Sequence, residues 1–555
     1  MKTIKNFIII VAFLLQSIFL LQAQTTAGTK FWLTFGKNAN YADLTYQPEL
    51  GIRIAAGDSP ANVSLSFTDN QTFVNFSVAA HQVYTYNLNV EQKYAAYNTI
   101  MGTSNHSILI TSDALISVYV LNYATDSSDA TNILPETALG TEYYQISYPS
   151  VSYPLNMYDA YAVVATQNNT VLSHNEEYIA TLDSGQVYYK TSSTDMTGAH
   201  ITSNYPVAFF AVNQRASVPF TNLVGKCLIQ QLAPVNTWDN IFFVPVTIFP
   251  KNIVRIVVSE NNTNITQKGG IVRTDVPNAQ TVLTHLQAGQ FVELDIHLDS
   301  VGCYIQADKP VGICAYMTNF NYQVGTNTSY PAQCWIPGIN QSVSNVLISP
   351  FVPNYFNYLD THHALVVTQT ATKNSTLVSI GGAAPDTLQG GSWRDNVEAG
   401  TSFYIMPLTN NTASYLFSNP KGLIILGYGF CSASVLQTYY YLAGSAMRDL
   451  QAAFYANDIH CGDLENNQIC EKEVFFRAEI ENMSVEIDSI KWYIDDDDEY
   501  LPAQNQETWN KNFTQGEYKI TLVIYYFENG ETKTKTITGT LKRKDLWIKM
   551  RNIKH

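Results

Sequence analysis

The chain has 555 residues, of which 46% are hydrophobic and 14% are charged. This length is too great for one ordinary hydrophobic core, so several domains are expected. The net charge of −15 argues against a nucleic acid partner, because phosphate binding needs a basic face. The low charged fraction and the 36 tyrosines indicate a polar but uncharged surface, which is common in extracellular β proteins.

The N-terminus has the pattern of a secretory signal peptide. Lys2 and Lys5 precede an apolar run at residues 7–21, and cleavage is expected after Ala23. No later stretch reaches the ~18 apolar residues that a membrane span needs. We therefore expect residues 1–23 to be removed and the mature chain to be exported, as a secreted, cell-surface or periplasmic protein.

Four repeats of roughly 100 residues follow, and internal comparison alone reveals them. Their clearest shared motif is an apolar strand, a turn rich in Asn, Asp, Ser and Pro, and a second apolar strand. The copies are SILITSDALISVYVLNY (107–123), AHITSNYPVAFFAVNQ (199–214), CYIQADKPVGICAYMTN (303–319) and SYLFSNPKGLIILGYG (414–429). We predict that each copy forms a β-hairpin around its turn.

A second motif, a short strand that opens each repeat, occurs five times rather than four. The copies begin at Gly28, Gly140, Thr237, Val343 and Met447. Either the strand at residues 31–35 is surplus, or the strand at residues 450–455 completes the last repeat or closes a ring.

The repeats predict an all-β fold. Each holds about six or seven short runs of β-branched and aromatic residues, with no sustained helical period. Short turns between the runs predict antiparallel hairpins and meanders. We therefore expect four tandem antiparallel β repeats that are sandwich-like, with a propeller-like ring as the alternative. The predicted boundaries are 28–139, 140–237, 238–342 and 343–457.

The composition changes after the fourth repeat, where acidic residues and Lys become dense. A strand that contains Trp492 and a Gly-x-Tyr-x-apolar-x-Leu strand that begins at Gly516 look like those of an immunoglobulin or PKD-type sandwich. We expect a small module of this kind at 458–541 and a solvated basic tail at 542–555. The aspartate run at 495–498 is interpreted as a solvated turn, because adjacent side chains alternate in direction and cannot all bind one calcium ion.

Seven cysteines in an exported chain permit disulfides but leave one cysteine over. Cys461 and Cys470 are near neighbours in a turn-rich stretch, and Cys303 and Cys314 flank the predicted turn at 308–309. We take these two pairs as candidate disulfides, although the sequence does not settle the connectivity. A zinc site is not expected, because the spacings lack a CxxC pair.

Neither catalytic nor cofactor motifs are found. The sequence lacks a GxSxG elbow, an HExxH motif, a P-loop and a GxGxxG motif that opens a helix. Asp43, Asp159 and Asp360 recur at one repeat position, which indicates loop hydrogen bonding rather than the close carboxylate pair of a glycosidase. We therefore expect no enzyme activity, no cofactor and no metal.

A long loop follows each predicted hairpin, at 124–136, 214–233, 318–338 and 429–444. If the repeats stack alike, these loops share one face, and loops on one face of a repeat array are often its binding surface. Tyr and Trp give much contact area at low entropic cost. The predicted ligand-binding residues are Phe220, Phe320, Tyr322, Tyr330, Trp335, Tyr439, Tyr440 and Tyr441. The alternative is that these aromatic side chains plug the ends of the repeats.

Two segments of the second repeat carry a family resemblance. Residues 197–207 read TGAHITSNYPV and residues 227–238 read CLIQQLAPVNTW. They are similar to the G-T-x-I-x-S-D-x-P-V hairpin and to the Cys loop, Gln-x-x-Pro-Pro and Trp segment of the N-terminal domain of the IgG Fc-binding protein family. The resemblance covers roughly residues 28–457 in the same order. The chain departs from the family at Arg215, which stands near a family cysteine that would partner Cys227.

The resemblance implies an exported binding or adhesion domain, and bacterial members often end in an Ig-like module. We therefore expect a non-enzymatic binding and adhesion protein of a Gram-negative bacterium. Its loop face would meet a host or envelope protein, or a glycan, at a mucosal or cell surface, and IgG Fc is a candidate partner by family name only. The alternatives are an extracellular carbohydrate-active hydrolase and a structural envelope scaffold without a soluble ligand.

Overall fold

A computed structural model describes residues 25–544, with gaps at 40–43, 46, 152–155, 221–224, 250, 298–300, 319, 322–327, 355–358, 433–436, 448–450, 458, 462–463, 465–466, 482–485, 496–506 and 529–530. It contains two units, and the boundary between them lies between Met447 and Arg448. The predicted signal peptide lies outside the described residues. Among the described residues, no helix is long and apolar enough to cross a membrane.

The first unit begins with a repeat of short strands around one long strand. The strands are β1 (Ala27–Leu33), β2 (Phe35–Gly36), β3 (Glu49–Ala56), β4 (Ala61–Phe67), β5 (Phe73–Val78), β6 (Val83–Asn87), β7 (Tyr97–Asn98), β8 (Gly102–Ser104), β9 (Ile108–Ala124) and β10 (Ser127–Ile133). Helix α1 (Val90–Tyr94) begins at a capping box, in which Asn89 and Gln92 each bond the other's backbone N–H. A 3₁₀ helix (Glu136–Ala138) leads to the second repeat.

The next three repeats follow a similar order of elements. The second has β11 (Gly140–Tyr144), β12 (Asp159–Ala165), β13 (Thr170–His174), β14 (Glu177–Leu182), β15 (Val187–Ser192), β16 (His200–Ala216), β17 (Lys226–Gln231) and a 3₁₀ helix (Val235–Thr237). The third has β18 (Asp239–Val244), β19 (Lys251–Val258), β20 (Ile265–Lys268), β21 (Ile271–Val272), β22 (Phe291–His297), β23 (Cys303–Met317), β24 (Phe320–Asn321), β25 (Thr328–Ser329) and β26 (Ala332–Trp335). The fourth has β27 (Val343–Ile348), β28 (Thr361–Gln369), a 3₁₀ helix (Thr370–Ser375), β29 (Leu377–Ile380), β30 (Asp386–Thr387), β31 (Trp393–Asn396), β32 (Thr401–Pro407), β33 (Tyr415–Phe430) and β34 (Thr438–Gly444).

One long strand joins two sheets in each repeat. In the fourth repeat, the first half of β33 pairs with β27 and β29, and the second half pairs with β28 and β34. The first half of β9 likewise pairs with β1 and β4, and its second half pairs with β3 and β10. Two antiparallel sheets that share a bent strand form a sandwich with one closed corner. The predicted fold class, antiparallel sandwich-like repeats, is confirmed.

The predicted hairpins are wrong, because the turn motif lies inside the long strand. The pairing of each opening strand skips residues 112–115, 203–206, 307–310 and 419–422 of its long partner. These residues form a bulge rather than a reversal of the chain. A bulge bends and twists a strand, which allows the long strand to pass from one sheet to the other.

The Asp or Asn of the turn motif fastens this bulge to a neighbouring strand. The carboxylate of Asp113 accepts hydrogen bonds from the backbone and side-chain nitrogens of Asn62, both at 2.7 Å. Asp308 makes the same two contacts with Asn264, at 2.8 and 2.6 Å. Asn204 accepts one from the backbone of Val171 at 2.7 Å. The recurring turn chemistry therefore stabilises a strand junction.

The four repeats close into a ring. The last inner strands β10, β17, β26 and β34 lie together, each contacts the next, and β34 contacts β10. The chain ends of the unit also meet, since Thr26 N donates to the Ser445 carbonyl at 3.0 Å. The Arg53 guanidinium of the first repeat donates to the Ser349 carbonyl of the fourth at 2.6 Å and lies 4.4 Å from the Phe351 ring centroid. Sandwich-like repeats and a ring are therefore both features of the unit.

The second unit is a separate sandwich. Its strands are β35 (Gln451–Ala456), β36 (Ile459–His460), β37 (Gln468–Ile469), β38 (Glu473–Glu481), β39 (Glu486–Ile494), β40 (Thr508–Asn512), β41 (Gly516–Glu528) and β42 (Glu531–Arg543). They form two four-stranded sheets, in the orders β36-β35-β38-β40 and β37-β42-β41-β39. Trp492 is fully buried in the core and packs against Phe454 and Phe476. Its Ig or PKD character stays a prediction.

Two features near the ends of this unit differ from the predictions. The fifth opening strand, β35, pairs with β38, so it neither completes the fourth repeat nor closes the ring. Strand β42 includes Lys542 and Arg543, so the predicted basic tail begins inside a strand. Asp495 accepts a hydrogen bond from Lys519 N at 2.7 Å, and the other aspartates of its run lie outside the described residues.

The predicted disulfide between Cys303 and Cys314 is wrong. Cys303 and Cys314 lie on the same strand, β23, rather than on opposite arms of a hairpin. Extended residues rise ~3.3 Å each, so their separation far exceeds the ~7 Å between Cα atoms that a disulfide tolerates. The pairing of Cys461 with Cys470 stays a prediction.

A buried ion network joins the second and third repeats. The Arg255 guanidinium on β19 contacts Glu293 of β22 at 2.8 Å and Asp195 of the second repeat at 2.7 Å, and the Arg255 and Glu293 side chains are fully buried. The same guanidinium donates to the Ser147 carbonyl at 2.8 Å. Because charges in a dry interface need partners, this network holds the two repeats in one relative position.

We predict that Arg255→Leu lowers the free energy of unfolding by about 3–5 kcal/mol, because it breaks the short buried ion pair with Glu293 and leaves that carboxylate with the longer ion pair to Arg273, at 3.3 Å. The measurement is urea unfolding followed by tryptophan fluorescence. The exposed pair Lys373–Asp395, 2.6 Å apart, provides the control, and Lys373→Leu should change stability little. Equal effects of the two substitutions would show that the buried network does not hold the repeats together.

Candidate binding mouth at the axis of the ring

The four predicted surface loops contain the strands at the centre of the ring. Strands β10, β17, β26 and β34 are the returning halves of these loops, and every residue in them is buried. Each loop therefore runs out from a long strand, turns at a tip and comes back through the core. Only the tips are available to a ligand.

Strand β10 is polar although it is fully buried. Its alternate side chains accept hydrogen bonds from the backbone of β17: Ser127 from Cys227 N at 2.8 Å, Asp129 from Ile229 N at 3.2 Å and Thr131 from Gln231 N at 3.0 Å. Strand β17 is the edge of its own sheet, and its free N–H groups would otherwise be buried without partners. The polar side chains of β10 replace the missing strand.

Asp129 is bonded to all four inner strands. Its carboxylate accepts hydrogen bonds from the backbone N–H groups of Ala130 at 2.9 Å, Ile229 at 3.2 Å, Gln333 at 3.1 Å and Tyr440 at 3.3 Å. Burial raises the pKa of Asp129 well above its ordinary value, while the four N–H groups oppose this shift by stabilising the carboxylate. One side chain thus connects the four repeats at the axis.

We predict that Asp129→Ala destabilises the ring by roughly 3–6 kcal/mol, because it leaves three N–H groups of other strands buried and unpaired. Urea unfolding measures this loss. Asp58, whose side chain is 94% exposed, is the control. If Asp129→Ala is no more destabilising than Asp58→Ala, the axial carboxylate does not hold the ring.

The residues just above this centre form what we call the mouth: Asp126, Lys226, Tyr330 and Gln437, one from each repeat. The Lys226 ammonium donates to the Asp126 carbonyl and lies 5.0 Å from the Tyr330 ring centroid. Burial lowers the pKa of Lys226 to about 8. The side-chain amide of Gln437 is buried, and neither its oxygen nor its nitrogen has a hydrogen-bond partner among the described residues. The mouth therefore brings together the loops of all four repeats.

The structure corrects half of the predicted ligand-binding residues. Trp335, Tyr439, Tyr440 and Tyr441 belong to the inner strands and are buried, so the prediction that they form an exposed face is wrong. Tyr441 packs edge-on against Tyr119 of the first repeat, with centroids 5.2 Å apart. Tyr441 thus contributes to the contact between the fourth repeat and the first.

Of the other four predicted residues, the structure describes three. Phe220 is 42% exposed, in the loop between β16 and β17. Tyr330 is half-buried in the mouth, Phe320 lies in β24, and Tyr322 lies outside the described residues. Lys226 is not among the residues predicted from the sequence, although its position at the start of the strand KCLIQQ is an available signal.

Within residues 25–544, gaps excepted, no group of three or more His, Cys, Asp or Glu side chains could hold a metal ion.

His200, in the turn motif of the second repeat, lies between two carboxylates. Its Nε2 is 3.0 Å from Glu142 and its Nδ1 is 2.9 Å from Glu176, and its ring stacks on Tyr144 at 4.6 Å. Hydrogen bonding to Glu142, with a second contribution from Glu176, raises the pKa of His200 against the opposing effect of burial. The charged imidazole thus fastens β11 and the β13–β14 turn to β16.

We predict that His200→Gln lowers the melting temperature by roughly 1–2 °C at pH 6. A raised pKa stabilises the fold fully below the unfolded value of ~6.5, and this stabilisation is lost as pH rises through the folded pKa. The difference between the two proteins should therefore vanish at pH 9. Calorimetry at both pH values measures it, and a difference that grows with pH would contradict the charged pairing.

These features place the chain in the class of all-β repeat proteins with a ring of sandwich modules. The family described as IgGFc binding protein matches residues 129–429, more than half of the chain, and the chain belongs to that family. The match runs from Asp129 in β10 to the end of β33, so it covers the second and third repeats entirely. Membership supports a binding role rather than an enzymatic one.

A curated relative shows the same kinship at lower coverage. The human IgGFc-binding protein is 26% identical over 311 residues, which cover 53% of this chain and 5% of the human protein. The chain therefore spans a small part of that relative's length. The match leaves 95% of the human protein uncovered, so it gives no information about the activity of that part.

Two solved structures were also compared. The fibronectin(III)-like modules of Clostridium thermocellum CbhA are 8% identical with a TM-score of 0.13, and cover 36% of this chain and 87% of their own. The chicken CNTN1 FN1-FN3 domains are 10% identical with a TM-score of 0.12, and cover 53% of this chain and 99% of their own. These TM-scores are too low to relate the architectures.

Proposed function

We propose that this chain is an exported, non-enzymatic binding and adhesion protein that meets its partner at the loop tips around the mouth. The observation that carries the proposal is the convergence of loops, because Lys226 contacts both Asp126 and Tyr330 from neighbouring repeats. Loops held at one end by a rigid scaffold are the usual place for recognition. The apolar N-terminal segment at residues 7–21 supports export.

Phe220 is the side chain best placed for this contact. Its ring is 42% exposed, although large aromatic side chains usually gain stability from burial. It lies in the loop that leads into Lys226. An exposed aromatic residue in one of these loops provides contact area for either a protein or a glycan.

The partner is proposed to be a protein or glycan of a mucosal or cell surface. The human relative's name records binding to IgG Fc, and for this chain IgG Fc is one candidate among such partners. The low charged fraction of the chain suits contacts made by neutral polar and aromatic groups.

A hydrolase is the less favoured alternative. Burial, with the nearby charge of Asp195, raises the pKa of Asp159 to about 7, as a catalytic acid would require. Asp159 is nevertheless fully buried, and it accepts hydrogen bonds from Ser147 Oγ at 2.6 Å and Met196 N at 2.7 Å. A carboxyl group enclosed in this way holds the segments that contain Ser147 and Met196 in place, and it cannot contact a substrate.

We predict that Phe220→Ala weakens partner binding by roughly tenfold or more, as truncation of a central aromatic contact does. Its melting temperature should stay close to that of the wild type, because the ring is largely exposed. The measurement is surface plasmon resonance against immobilised IgG Fc and against glycoproteins recovered by pull-down from mucosal secretions.

Tyr178, which is 66% exposed on β14, is the matched control, and Tyr178→Ala should leave binding unchanged. Saturable binding to none of these ligands would overturn the adhesion proposal. Equal losses for both variants would overturn the placement of the contact at the mouth.

A further inference from the structure

The outer sheet of the first repeat carries an open groove of about 480 Å³. This volume falls within the ~300–1,000 Å³ range of small-molecule sites. The groove crosses β4, β5 and β9, and the side chains along it are Asn62, Ser64, Asn75, Ser77, Thr111 and Asp113. It precedes residue 129, so it lies outside the segment that matches the family.

Strand alternation turns these side chains outward. On β4, Val63 and Leu65 are buried in the core, so Asn62 and Ser64 face away from it. The register places Asn75 of β5 opposite Ser64, and Thr111 of β9 on the other side of Ser64. Neighbouring strands are ~4.8 Å apart, so this row of three polar side chains spans roughly 10 Å.

The row offers hydrogen-bonding groups that the protein itself does not use. Within the described part of the chain, no hydrogen bond or ion pair engages the side chains of Ser64, Asn75 or Thr111. Hydroxyl and amide groups both donate and accept hydrogen bonds. The row therefore suits a ligand that carries many hydroxyl groups.

The charges around the groove select against ions. Of the lining residues only Asp113 is charged, and its carboxylate is already bonded to Asn62 N and Nδ2 at 2.7 Å each. The nearest cation in the same row, Lys30, pairs with Glu136 at 2.8 Å. An acidic ligand would meet the negative charge of Asp113, and Lys30 is already paired.

An exposed aromatic ring extends the same face. Phe73 lies two residues before Asn75 on β5, so its side chain points to the same side of the sheet, and it is 68% exposed. A ring left open to solvent beside a polar row can stack on the apolar face of a sugar ring.

We propose that this groove binds a neutral saccharide chain, with Asn75, Ser64 and Thr111 hydrogen-bonded to its hydroxyl groups and Phe73 stacked on one sugar ring. A phosphorylated or acidic polymer would need cations that the groove does not offer. This proposal rests on the first repeat alone, so it holds or fails independently of the loop tips.

The third repeat offers a matched control. Asn264 and Asp308 repeat the geometry of Asn62 and Asp113, and Thr266 takes the place of Ser64. Among the described strands, however, β20 pairs only with β23, so no strand equivalent to β5 completes a groove. Thr266→Ala should therefore leave saccharide binding unchanged.

The test is affinity electrophoresis of the full chain in gels that contain dextran, mannan or galactomannan as neutral polymers, and hyaluronan or alginate as acidic ones. At least one neutral polymer should retard the wild type. Asn75→Ala should weaken that retardation roughly five- to tenfold, as loss of one or two hydrogen bonds does. The double variant Asn75→Ala with Phe73→Ala should abolish it, with melting temperatures unchanged.

Retardation by no neutral polymer, or by acidic polymers alone, would overturn the proposal. So would equal losses in Asn75→Ala and Thr266→Ala. Phe220→Ala separates this site from the mouth: it should keep wild-type retardation, and Asn75→Ala should keep wild-type binding to a protein partner.

Discussion

The ring depends on one problem of β-sheet chemistry, the unpaired edge. Each repeat ends in an edge strand whose N–H groups point towards the axis, where water cannot reach them. The carboxylate of Asp129 and the hydroxyl groups of Ser127 and Thr131 accept those hydrogen bonds. Because a buried N–H without a partner is costly, the polar strand β10 is what makes four sandwiches into one closed unit.

Closure of the ring decides where function can lie. The loop strands that return through the axis are part of the core. Their aromatic side chains are buried there, and Tyr441 contacts Tyr119 of another repeat. Surfaces open to a partner are then the loop tips near Lys226 and the outer faces of the sheets. The groove on the first repeat and the mouth are surfaces of these two kinds, and neither requires movement of the ring.

The sequence predicts the fold class well and the placement of the site poorly, for one physical reason. Strand periodicity and the fourfold repeat are local or internal signals, and both follow from residue order alone. Burial of β10 cannot be predicted from its own sequence, because SSDATNI has the composition of a polar loop. Its hydrogen-bond partners Ile229, Gln333 and Tyr440 come from other repeats. The hairpin prediction fails similarly, since Asn, Asp and Pro suit a bulge as well as a turn.

The false hairpin also produced the wrong disulfide. Once β23 is one continuous strand, Cys303 and Cys314 are too far apart to pair. Phe220 is exposed, and its role in binding stays a prediction. The groove of the first repeat could not be foreseen, since it requires the register of three strands.

The most direct test of the closed ring is native-state hydrogen exchange at the amides of Ile229, Gln333 and Tyr440. These amides belong to three different repeats but share the Asp129 carboxylate as acceptor. If that carboxylate holds the ring together, all three should be strongly protected and should open with one common free energy. Fast exchange at any of them, or clearly different opening free energies, would contradict the account.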